Sequence, residues 1–203
     1  MKTILFALLF ALNAGLACAE QACAQLNQDI TAYQKAQAST PGQIIRYSDK
    51  EGALARAVLN PTRVQSAIDE LAQGSATESG ARLKNLAGRY TEVARNYVVA
   101  FQKHPEQYEE EYLDSFDSIF RLTLSSLIPL QKISIDEVED PNLKANLNAM
   151  LKSTAQLVQS VGPLMLSAIE QQLREKRFSA GFTPRVTARL AQLREQLPRA
   201  DPH

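Results

Sequence analysis

Residues 83–127 read LKNLAGRYTEVARNYVVAFQKHPEQYEEEYLDSFDSIFRLTLSSL, and along this stretch the apolar side chains return every three or four positions rather than every second one. Before the proline they are Leu83, Leu86, Tyr90, Val93, Tyr97 and Phe101, and after it Tyr108, Tyr112, Phe116, Ile119, Thr123 and Leu127. That spacing gathers one apolar edge on a helix, whereas a half-buried strand would alternate. The alternation of three and four also resembles the seam of a helical bundle. Two helices are therefore predicted, at about 77–103 and 106–128. They part at His104-Pro105, where the residue before proline is driven out of helical geometry, and they fold back as an antiparallel hairpin.

The same period extends outward in both directions. Upstream, Ala22, Leu26, Ile30 and Tyr33 mark a first helix. Pro41-Gly42 lies in a connector, and Ser48-Asp49-Lys50-Glu51 has the form of a capping box for a short helix on Leu54, Val58 and Leu59. Asn60-Pro61 opens another, on Val64, Ile68 and Leu71, with the proline where its missing N–H does no harm. Downstream, Asp140-Pro141 starts a third long helix, about 141–177, whose apolar positions are Leu143, Leu147, Met150, Leu151, Thr154, Leu157, Val158 and Val161. Gly162-Pro163 should kink or break it. Between the second and third long helices, Ile133, Ile135 and Val138 alternate with polar residues, which allows a short extended segment. Thr183-Pro184 caps a last helix on Val186, Leu190, Leu193 and Leu197. The expected fold is all-α: a single-domain helical bundle over 20–203, with three long helices and shorter N- and C-terminal ones.

The first 19 residues read as a cleavable signal peptide: Lys2, an uncharged apolar run from Ile4 to Leu12, then small residues through Ala17-Cys18-Ala19. The run is too short to span a bilayer, which needs roughly 20 apolar residues. Cleavage after Ala19 leaves Cys23 as the sole thiol. Cleavage after Ala17 leaves Cys18 at the new N-terminus, where a bacterial lipoprotein carries its lipid, although Gly15 stands where such leaders place Leu. The location expected is the periplasm or beyond, with membrane contact only if Cys18 is lipidated. Asn60-Pro61-Thr62 is not a usable glycosylation sequon because of its proline, which leans toward a bacterial envelope.

Charge removes one class of partner. With 22 basic and 22 acidic residues the chain lacks the basic surplus that phosphate backbones require, so nucleic acid is not expected. Histidine occurs only at 104 and 203, and there is no nucleophile elbow, phosphate-cradling glycine loop or Cys-x-x-Cys-His haem site. No cofactor or metal is expected, and no catalytic residue can be assigned.

Three patterns remain as candidate sites. Glu106, Glu110, Asp114 and Asp117 share a stripe on the second long helix, thickened by Glu109 and Glu111. The stripe is either a docking face for a basic partner, a weak hard-cation site, or a solvated face whose first acids favour the positive end of the helix dipole. Arg185 and Arg189 share a stripe with Arg199 on the last helix, and either meet an anionic partner or pair with that acidic helix inside the molecule. Tyr97, Tyr112 and Phe116, with neighbouring rings, either line a pocket for an apolar ligand or pack as core. The acids Asp136, Glu137, Glu139 and Asp140 allow acid and base roles in principle, or are simply solvated. The function expected is that of an exported, non-enzymatic helical protein that binds a macromolecular partner in the bacterial envelope through its charged faces. The alternatives are a carrier of a small apolar ligand and an enzyme working with carboxylates alone. Oligomeric state is not encoded in any of these patterns.

Overall fold

A computed structural model describes residues 21–74, 76–125 and 135–197. The predicted signal peptide, Cys18 and Arg199 lie outside the described residues. The described residues form helices joined by turns and irregular connectors, with no strand among them. In chain order they form α1 (Gln21–Ala38), α2 (Gly52–Leu59), α3 (Pro61–Ala72), α4 (Ala76–Lys103), a 3-10 turn (Pro105–Gln107), α5 (Glu109–Leu124), a second 3-10 turn (Ile135–Glu137), α6 (Pro141–Arg174) and α7 (Thr183–Glu195). Among these residues no helix is long and apolar enough to cross a membrane.

The apolar edges read from the sequence for α1 to α5 and α7 meet in one core. Leu26, Ile30 and Tyr33 of α1, Val58 and Leu59 of α2, Ile68 of α3, and Leu86, Tyr90, Tyr97 and Phe101 of α4 are almost wholly shielded from solvent. The hairpin of α4 and α5 forms as expected, but α5 is shorter than the 106–128 predicted. Pro105 begins a 3-10 turn, and Tyr108, at φ −126° and ψ 21°, is not helical. The α-helix therefore starts only at Glu109, with Glu109, Glu110 and Glu111 in the first turn beside the positive dipole end. Helix α5 occupies the centre, packed against α2, α3, α4 and α6. It is consequently buried nearly all round: not only Tyr112, Phe116 and Phe120 but also Glu111, Ser115, Asp117 and Ser118 are inaccessible.

Helix ends follow the sequence signals in some places and not in others. The side chain of Asn60 accepts from the N–H groups of Thr62 and Arg63, and that of Asp140 from Asn142 and Leu143. Two orphan donors are thus satisfied at each end. The Ser48 capping box does not form. Helix α2 begins only at Gly52, with Glu51 at the cap and no side-chain bond, so Ser48 lies too far upstream to cap it; the intervening Asp49 turns its carboxylate back to the Arg46 N–H at 2.7 Å. Thr183 is the first residue of α7 rather than its cap, and its hydroxyl donates to the Ser179 carbonyl at 2.8 Å. Near the expected extended segment, Ile135–Glu137 is a 3-10 turn; Ile133 lies outside the described residues.

Helix α6 runs unbroken through Pro163. Pro163 and Gln159, the residue whose carbonyl loses its partner, are both exposed, so water can take the place of the missing N–H. The buried neighbour Gly162 has a different reason to be small: a Cβ there would lie 2.4 Å from Leu197 Cδ2, so the glycine admits the end of α7 against α6. Helix α6 stops at Arg174, short of the expected Arg177. Lys176 adopts φ 54°, and the N–H groups of Lys176 and Arg177 return to the carbonyls of Leu173 and Gln172. This is a Schellman ending with lysine in the left-handed position usually held by glycine.

Two stability outcomes follow from these ends. Asn60→Ala should lower stability by about 1 kcal/mol, while Ser48→Ala should stay within roughly 0.5 kcal/mol of the parent, since only Asn60 caps a helix. Lys176→Gly should raise it by about 1 kcal/mol through relief of the left-handed backbone. Urea denaturation of the three variants measures all three differences, and equal loss at Ser48 and Asn60 would contradict the capping assignment.

Candidate functional site

The acidic stripe is solvated only in part. Asp117 has no side-chain exposure; one oxygen lies 3.1 Å from Arg121 Nε and the other 2.8 Å from Arg189 Nη1. Arg121 also donates to Gln65 Oε1 at 3.1 Å, so a single carboxylate ties α3, α5 and α7 together. Burial pushes the Asp117 carboxyl upward, against the opposing pull of the two guanidinium groups. Glu110, half exposed, meets Arg185 at 2.7 Å, and the Arg185 guanidinium lies 4.8 Å from the centre of the Phe182 ring. Glu109 accepts from the Ser179 hydroxyl at 2.8 Å and from its N–H. Glu106 sits apart, exposed on the 3-10 turn and out of register with the helix.

Asp114 and Glu111 face the connector between α1 and α2. Asp114 accepts from the Tyr47 hydroxyl at 2.6 Å, and Glu111 accepts from the Tyr47 N–H. Burial raises both carboxyls above their ordinary range; hydrogen bonds from Tyr47 oppose the rise at each, and Arg189 also opposes it at Asp114. The rest of this non-helical stretch is held in the same way. Tyr97 and Tyr108 donate their hydroxyls to the carbonyls of Ile45 and Ile44, Gln37 accepts from the Ile45 N–H, and Arg56 donates to the Tyr47 carbonyl. Backbone groups that no helix satisfies are thereby paired by side chains of α1, α2, α4 and α5 and by the 3-10 turn.

Between α5 and α7 an open crevice of about 240 Å³ is bordered by Glu110, Asp114, Phe182, Arg185 and Arg189. Its volume is below the roughly 300 Å³ at which small-molecule pockets begin. Among the described residues no three His, Cys, Asp or Glu side chains converge as metal ligands. Of the loop acids, Asp140 is occupied as the α6 cap and Asp136 pairs with Lys144 at 3.3 Å.

The aromatic candidates lie in the core. Tyr97 is fully buried, Phe101 stacks on Tyr112 with ring centres 4.1 Å apart, and Tyr112 contacts both Phe116 and Phe178. Phe178, from the link between α6 and α7, inserts between Phe101 and Phe182. A carrier reading draws no support from rings that use one another as neighbours. Cys23 is likewise buried, with its thiol pushed upward chiefly by burial, which suits neither a reactive group nor an intermolecular bond.

One exposed feature escaped the sequence reading. Leu143, Met150 and Leu157 of α6 are expected to face a core but are 49, 54 and 57% exposed, and Leu164, which the predicted stripe does not include, is 70% exposed. The side of α6 that meets the core carries Val158, Gly162, Leu166 and Ile169 instead. Two apolar edges on one helix overlap in a linear sequence; the exact seven-residue recurrence of the exposed four is the signal that separates them.

The raised carboxyls set a pH dependence. A folded-state pKa above the unfolded value means that the folded chain holds extra protons between the two, so stability falls as pH rises through the folded pKa. The urea midpoint should accordingly be higher at about pH 5 than at about pH 7.5, and Glu111→Gln, which keeps an acceptor for Tyr47, should flatten that slope. Tyr47→Phe should cost about 2 kcal/mol and raise the Asp114 carboxyl further, readable by carboxyl NMR titration. A midpoint that climbs toward neutral pH would contradict the burial of these acids.

No family model, no curated protein and no solved structure matches this chain.

Proposed function

We propose that the chain is an exported, non-enzymatic helical-bundle module of the bacterial envelope that works by holding another macromolecule. The observation that supports this reading is the unoccupied outer edge of α6, where four large apolar side chains stand in solvent between Leu143 and Leu164. Contiguous apolar surface of this kind marks interaction sites in soluble proteins. The charged faces expected to carry docking contribute less, because Asp117, Arg189 and Asp114 are engaged within the molecule. Among the described candidates of these two faces, Glu106 and the half-exposed pair Glu110 and Arg185 leave charge at the rim for a partner.

Lysine cross-linking in native envelopes tests the proposal, since Lys144 and Lys152 lie on the same helix as the edge. Cross-links to a macromolecule should concentrate at these two lysines and fall about tenfold in Leu157→Glu, with Glu110→Lys having the smaller effect. Cross-links spread evenly over Lys35, Lys50 and Lys84 and indifferent to Leu157 would refute it.

A further inference from the structure

We propose that the partner of the α6 edge is a second copy of this chain, the two α6 helices pairing side by side along it. The inference rests on the binding reading above and names what is bound. Leu143, Met150, Leu157 and Leu164 recur every seven residues, and Leu147, Thr154, Val161 and Ala168 follow each of them by four. The edge therefore keeps an unbroken four-three alternation, the heptad pattern of paired helices, with the first set at d and the second at a. The side of α6 that packs within the molecule is a different one, carrying Val158, Gly162, Leu166 and Ile169. A strict seven-residue repeat drifts about 20° per heptad on a straight helix, so it stays aligned only with a helix that winds with it.

Length, charge and side-chain choice favour a copy of the same helix. From Leu143 to Leu164 the edge covers three heptads, about 32 Å at 1.5 Å per residue, which is the span over which such pairing becomes specific. Between Pro141 and Ile169 the only charged residues are Lys144 and Lys152, and Lys144 is held by Asp136. The flanking positions Asn146, Ser153, Ser160 and Ser167 are short and neutral, so two copies approach closely without repulsion. Leucine at most d positions with β-branched Thr154 and Val161 at a is the combination that favours two strands. A lipid surface fits poorly, since interfacial helices oppose their apolar side with a Lys/Arg-rich one, whereas the opposite side of α6 is packed on its own core.

Sedimentation velocity on the purified chain, from about 1 to 200 µM, decides the question. A dimer is expected, and Met150→Glu with Leu157→Glu should weaken it roughly 100-fold by placing charges in the seam. Because both positions are exposed, circular dichroism should show the variant as helical as the parent. Wild-type chain that stays monomeric at the highest concentration, or a dimer indifferent to the two glutamates, overturns the pairing. Monomeric chain whose cross-links at Lys144 and Lys152 still depend on Leu157 would overturn the pairing alone and leave the broader binding reading in place.

Discussion

A carboxylate with no access to water costs several kcal/mol unless its charge is answered, and Asp117 is answered twice, by Arg121 from its own helix and Arg189 from α7. Removing either cation would leave a buried charge half paired, so the position of α7 against α5 is fixed by chemistry and not by apolar contact alone. Breaking such a pair typically costs more than the pair contributes. The remaining bonds across this seam, Glu110 with Arg185 and Glu109 with Ser179, repeat the arrangement nearer the surface, where solvent weakens them. Phe178 and Phe182 close the seam at its end with ring contacts.

The other flank of α5 shows the same logic applied to backbone. The connector between α1 and α2 contains carbonyls and N–H groups with no helical partner, and a bare stretch of this kind could not be covered without loss. The Tyr97 and Tyr108 hydroxyls and the Glu111 carboxylate supply the missing partners, and Asp114 holds the Tyr47 hydroxyl beside them. The acids of α5 therefore serve as internal fasteners on two sides, which explains why a chain of zero formal charge shows so little free charge along this helix.

Helix α6 contrasts with this economy. Its second half is anchored through Val158, Leu166 and Ile169, and Gly162 lets Leu197 approach, while the outer edge is left without cover. Asp117, Asp114 and Arg189 are turned inward to pair within the molecule, while a large apolar edge of α6 is turned outward. That inversion moves the binding reading from the charged faces to α6.

The helical class, the hairpin at His104-Pro105 and the caps at Asn60 and Asp140 were legible because each depends on residues a few positions apart: a period, a proline, a side chain reaching its own first turn. The Ser48 box failed on the same scale, since the helix starts at Gly52, beyond the reach of Ser48. What the sequence could not reveal was which faces met. Glu111 and Asp117 look no different from Glu106 in a string of acids, and Leu157 looks no different from Leu166 in a string of leucines. Whether each is buried, paired or bare depends on groups 56 to 72 positions away, such as Gln65 for Arg121, Tyr47 for Glu111 and Arg189 for Asp117. Local spacing determines that a helix has an edge; only the packing of the other helices determines which edge is covered and by what charge.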